Sequence, residues 1–170
     1  MAYSRWFVLL LVLLLSACGT PSALEPSDPR LATLPTDLTE EAVVIPPAPA
    51  DPALLVAWAN PQERWRAVAE QAARLDGASP ESIEAENAAL EAAWQTGLAL
   101  ATQARTQGYE VDDSALIAEI AWRMIAHNHP LRADPAREAA DTAAWVEVWQ
   151  GRSTGPAVVT GRLLANAMVR

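Results

Sequence analysis

The chain has no lysine and a single cysteine, Cys18. One thiol excludes an intramolecular disulfide and any metal site built on paired thiolates. Positive charge is scarce: 12 basic residues, all arginine, face 21 acidic ones, giving a net charge of −9 and a pI near 4.6. That balance argues against nucleic acid as a partner, because phosphate contacts need a basic face. It also makes an anionic lipid surface repel the body of the protein. Long apolar runs are few. The longest, residues 6–15 (WFVLLLVLLL), falls well short of the roughly 20 residues that cross a bilayer. There is no glycine-rich phosphate loop, no serine-centred elbow and no cysteine nucleophile. No segment alternates with period two over a useful length, and no repeat recurs.

What the chain does have begins at its N-terminus. Arg5 precedes the apolar run, and the pair has the layout of a cleavable secretory signal. Directly behind it stand Leu15-Ser16-Ala17-Cys18, an aliphatic residue, two small residues and a cysteine. This junction resembles the lipobox of bacterial lipoproteins. The resemblance covers residues 1–18 only and implies a diacylglycerol thioether on Cys18, cleavage before it, and acylation of the new N-terminus. Two acyl chains make anchoring stable, at about 0.8 kcal/mol per buried CH₂. Gly19, rather than Asp, follows Cys18. By the same resemblance this favours the periplasmic face of the outer membrane in a two-membrane cell. In a one-membrane cell the protein would sit on the outer face of the cytoplasmic membrane.

Residues 18–50 differ in kind from the rest. Pro21, Pro26, Pro29, Pro35, Pro46, Pro47 and Pro49 are scattered among acids, with no aromatic residue. Such a composition predicts a disordered, semi-extended tether, rising about 3.1 Å per residue where it is polyproline-like. Ala42-Val43-Val44-Ile45 is the one patch within it suited to docking, on its own domain or on a partner.

From Asp51 onward the chain is rich in alanine and its punctuation is regular. Asp51-Pro52, Asn60-Pro61, Ser79-Pro80 and Asp134-Pro135 each pair a capping oxygen with a proline that gives up no helical hydrogen bond. Asp112 reads as a further cap, and Asn60 with Glu63 as a capping box. Gly77, Gly108 and Gly151 each end a periodic apolar segment. These marks predict helices near 52–59, 61–76, 80–107, 113–128, 135–150 and 156–168. The fold class is therefore all-α: a small bundle of about five helices, spanning residues 51–170, behind the proline-rich tether.

Helical spacing predicts the packing. Trp65, Val68, Ala72 and Leu75 form one seam, and Ile83, Asn87, Leu90, Trp94, Gly97, Ala101 and Ala104 another, so 61–76 and 80–107 read as an antiparallel hairpin that closes up where the small residues lie. Asn87 interrupts that seam, either to set register or to line a pocket. Leu116, Ile117, Ile120, Ala121, Met124 and Ile125 make 113–128 the central helix. Arg137 and Asp141 are spaced for an ion pair.

Six tryptophans follow Cys18. Trp65, Trp94 and Trp145 read as core, while Trp122 and Trp149 are the candidates for an exposed docking patch, with Arg152 nearby as a positive group. Residues 151–170 hold Arg152, Arg162 and Arg170 and no acid, suited to the acidic start of 81–91 or to an acidic partner. His127-Asn128-His129-Pro130 fits a helix end better than a metal site, since no third ligand is close. Glu81-Ser82 shares two letters with lytic transglycosylases and none of their other motifs. No catalytic residue, metal or cofactor is expected. The function expected is a lipid-anchored envelope module that binds or assembles, with an envelope protein as its partner. An enzyme of the peptidoglycan wall, or a carrier with a pocket near Trp94 and Asn87, is the alternative.

Overall fold

The computed structural model describes residues 29–34, 43–48, 50 and 60–169. Cys18, the apolar run before it, Trp58 and the helix expected at 52–59 lie outside these residues. Among the described residues there is no strand, and no helix is long and apolar enough to cross a membrane. Five helices follow in order: α1 (Pro61–Leu75), α2 (Pro80–Thr106), α3 (Asp113–Asn128), α4 (Ala133–Trp149) and α5 (Gly155–Met168).

Their ends are set by local chemistry. Asn60 accepts from the Glu63 amide at 3.2 Å, Ser79 from the Ser82 amide at 3.2 Å, and Asp112 from the Ala115 amide at 2.6 Å. Gly77, Gly108 and Gly151 hold positive φ of 79°, 91° and 68°, the left-handed turn that closes a helix without the cost of a Cβ. One cap differs from expectation. A 3-10 turn, Pro130–Arg132, runs directly into α4, so Asp134 sits inside the first helical turn and serves the positive helix end, not the cap. Thr154 supplies a cap that spacing alone did not reveal, accepting from the Ala157 amide at 3.3 Å.

α3 is the axis of the bundle, packed by α1, α2, α4 and α5. It buries Leu116, Ile117, Ile120, Ala121 and Ile125 as its periodicity predicts, with Met124 half-buried. Trp65 and Trp94 are fully buried, and the Trp94 indole N–H donates to the Ile117 carbonyl at 3.1 Å. The small residues of α2 therefore receive α3. A Cβ on Gly97 would lie 2.7 Å from Ile120 Cδ1. Leu75, expected on the seam, is exposed, because α1 ends there and the chain turns away through Gly77. Trp145 is half-buried and packs against a smaller cluster of Ala115, Ala144 and Val158.

Two stretches of the proline-rich segment lie on the bundle. Leu31 and Leu34, in and after a 3-10 turn at Leu31–Thr33, are buried in the main core at 5% and 6% exposure. Residues 43–48, which form neither helix nor strand, set Val43 and Ile45 against Gly155. Average composition conceals this, because one fully buried leucine contributes about 1.5–3 kcal/mol whatever its neighbours are.

At the α3–α5 crossing the two backbones come close together. A Cβ on Gly161 would meet the Asp112 carbonyl oxygen at 2.6 Å and the Leu116 nitrogen at 3.2 Å, both backbone atoms. Asp112 also donates its amide to the Ala157 carbonyl at 3.0 Å. Gly161→Ala should therefore destabilise the protein by about 1–3 kcal/mol. Gly97→Ala meets a movable methyl and gains helix propensity, so it should change stability by less than about 1 kcal/mol. Urea unfolding of the two variants checks the contrast.

Asp112 carries a pH signature. Burial pushes its carboxyl above the ordinary value of 3.8, and the charges of Glu147 and Asp113 add to this, against the Ala115 amide and Ser153, whose hydrogen bonds favour ionisation. The folded state thus binds this proton more tightly than the unfolded chain does. Its ionisation costs stability that is regained as pH falls through the raised value toward 3.8. Asp112→Asn keeps the cap and removes the titration. The stability of the native protein relative to Asp112→Asn should rise as pH falls through that window, read from paired denaturation curves.

Candidate functional site

The charged side chains of three helices gather around Glu119. It lies on α3 at 4% exposure. A carboxylate withdrawn from water costs several kcal/mol unless it is paired. Arg123, one turn along α3, donates from Nε to Oε1 at 3.1 Å. Arg137 of α4 reaches both oxygens from Nη1, at 3.1 and 3.0 Å. Arg162 of α5 brings Nε to 3.4 Å from Oε2. Arg137 and Arg162 then share Asp141, at 2.9 and 2.7 Å. Three guanidinium groups face two carboxylates, leaving an excess of positive charge within a strongly acidic protein. The expected Arg137–Asp141 pair is one edge of this network. Arg162 turns to Asp141 and Glu119 and not to the acids of 81–91, which α2 holds elsewhere.

Trp122 is attached to the same network. The Arg137 guanidinium lies 4.4 Å from its ring centroid and that of Arg123 5.2 Å, close enough for cation–π attraction. Its indole N–H donates to the Ala133 carbonyl at 3.2 Å. The ring is half-buried and lines an open groove of ≈ 470 Å³. Apolar Ala93, Met124 and Met168 and polar Arg123, His127 and Asn128 line the rest. A surface of this make-up suits an amphipathic ligand or peptide: thioethers adapt to apolar groups, and the guanidinium and amide meet acceptors.

Trp149 lies on a different depression, of ≈ 540 Å³, with Trp145, Asp141, Arg162, Pro46 and Pro47. It too is half-buried, and its indole N–H donates to the Pro46 carbonyl at 3.0 Å. Trp122 and Trp149 thus belong to two surfaces. Arg152 belongs to neither, and forks onto Glu147 with two contacts of 2.7 Å beyond the end of α4.

The remaining candidates have structural partners. His129 is buried, with Nδ1 3.1 Å from Asp76 and Nε2 2.8 Å from Glu86. It ties the end of α3 to the α1–α2 turn and to α2. Because the two carboxylates sit on different ring nitrogens, they do not converge on one point. Among the described residues no group of three His, Cys, Asp or Glu is placed to hold a metal ion. His127 is exposed beside the Trp122 groove. Asn87 donates to Glu70 across the hairpin at 2.9 Å, a register contact. Glu81 is exposed, and a hydrogen bond from its own backbone amide, then one from Ser79, holds its carboxyl below the usual range, which is the wrong direction for a general acid.

Glu119 was absent from the sequence-predicted residues. Its signal was present: one acid inside the apolar stretch 115–121, with arginine four residues later, and a second acid–arginine pair on α4. Replacing Glu119 with Gln leaves three guanidinium groups with one carboxylate and should cost about 2–3 kcal/mol. That is less than the 3–5 kcal/mol of a fully buried pair, because these arginines reach solvent. Arg123→Gln leaves Glu119 paired twice and should cost about 1 kcal/mol or less, measured by the same denaturant titration.

Compared with protein-family models, characterised proteins and solved structures, the chain finds no match.

Proposed function

We propose that this chain is a lipid-anchored protein of a bacterial cell envelope whose helical domain is a binding or assembly accessory module. The anchoring rests on the sequence Leu15-Ser16-Ala17-Cys18 behind an apolar run of signal length. Acylated Cys18 holds the protein to a membrane, at the periplasmic face of the outer membrane in a two-membrane cell. The binding role is carried by the groove at Trp122, where an aromatic ring, two thioethers and a guanidinium share one open surface. Its rigidity supports the reading: Arg123 and Trp122 are held by Glu119, Arg137 and the Ala133 carbonyl, so little side-chain entropy is lost on contact. The partner it suits is an envelope protein offering apolar side chains beside an acid.

Two measurements test this in intact cells. Feeding an alkyne-bearing palmitate should label the native chain and leave Cys18→Ala unlabelled and released from the membrane. A photo-crosslinking residue at position 127, beside the groove, should capture a defined partner that the same residue at position 138, exposed on α4, does not. Equal capture from both positions would end the groove assignment. A free thiol at Cys18 in native material would end the anchoring.

A further inference from the structure

The second surface carries an inference that goes beyond lipid anchoring and the Trp122 groove. We infer that the face formed by Trp149 and Gly155 is a docking site for an extended, proline-containing segment of a partner protein, occupied at rest by residues 43–48 of the chain itself.

The occupant seen there defines the chemistry. Residues 43–48 (Val-Val-Ile-Pro-Pro-Ala) form neither helix nor strand, and Pro46 and Pro47 bias the residues before them, Ile45 and Pro46, toward extended backbone. Val43 and Ile45, two residues apart, both meet Gly155: a Cβ there would lie 2.7 Å from Val43 Cγ1 and 3.1 Å from Ile45 Cγ1. Gly155 is thus a bare notch for β-branched side chains. One residue later the Pro46 carbonyl accepts the Trp149 indole N–H at 3.0 Å. An aromatic N–H given to a carbonyl in a proline-rich strand is the chemistry by which polyproline segments are recognised, and their preset conformation keeps the ordering cost low. None of these contacts reads a side chain specific to this protein. Any segment with β-branched residues two apart, followed by proline, presents the same groups.

The hold is also light. Val44 is 82% exposed and Ile45 49% exposed, so much of the segment's apolar surface stays in water. Beside it the ≈ 540 Å³ depression, walled by Trp145 and by the Arg162–Asp141 pair, leaves room for more than the segment fills. A tethered occupant nevertheless competes well, since attachment to the same chain acts as a local concentration of the order of millimolar.

The test uses the full-length chain and two synthetic peptides. One carries residues 42–50. The other keeps only the pattern, Ile-Thr-Val-Pro-Pro, in an unrelated context. The readouts are peptide affinity, from the fluorescence anisotropy of dye-labelled peptides, and, in chains that keep Trp149, the shift of its indole N–H resonance, assigned by its loss in Trp149→Phe. Replacing both Val43 and Ile45 with Asp should free the face, leave the helical signal intact, and raise the affinity for both peptides about tenfold or more over the native chain. Trp149→Phe in that background should abolish the gain. Failure of the freed chain to bind either peptide, binding of the 42–50 peptide alone, or equal binding by the Phe variant would overturn the inference. A concentration-dependent dimer exchanging residues 43–48 would overturn it in favour of a second copy as the occupant. Because no step involves Cys18 or the Trp122 groove, failure here leaves the anchored-module proposal standing.

Discussion

A carboxylate on the central helix, withdrawn from water, organises this bundle. Glu119 lies outside the apolar arc of its helix yet is buried beneath its neighbours, and its charge has to be met. Arg123, Arg137 and Arg162 meet it from α3, α4 and α5, so helices that otherwise touch through alanine and short aliphatic side chains acquire a directional lock. Alanine-rich faces slide easily, since small, uniform side chains define register poorly. A forked set of charged hydrogen bonds does not slide. His129 likewise fastens three helical segments, at the C-terminal end of α3.

This lock also shapes the outer surface. Two of the three guanidinium groups that satisfy Glu119, those of Arg123 and Arg137, lie over Trp122, and Arg123 continues into the groove beside it. Arg162 and Asp141 continue into the wall of the second depression, next to Trp149. The two surfaces therefore stand on one charged core.

Much of the fold was legible before the structure. Helix ends depend on neighbours within four residues, so Asn60, Ser79 and Asp112 could be recognised as caps, and Gly77, Gly108 and Gly151 as left-handed stops. The apolar arc of α3 marked it as the central helix for an equally local reason. Asp134 misled because the preceding Pro130–Arg132 turn runs straight into the helix, and Pro135, at the third helical position, still gives up no intrahelical hydrogen bond. The seam of α2 was visible, but its partner was not: period states which face is buried and does not name the helix that buries it.

Sequence by itself determined where most of the described helices begin and end and which of their faces are apolar, because each of these is encoded within a few neighbouring residues. Only the tertiary structure decided that Glu119 is buried and thrice paired, that Trp122 and Trp149 belong to separate surfaces, and that Leu31, Leu34 and residues 43–48 lie on the bundle. Those outcomes depend on groups far apart in the chain, such as Trp149 and Pro46, meeting in space. Only the packing of whole helices brings such groups together.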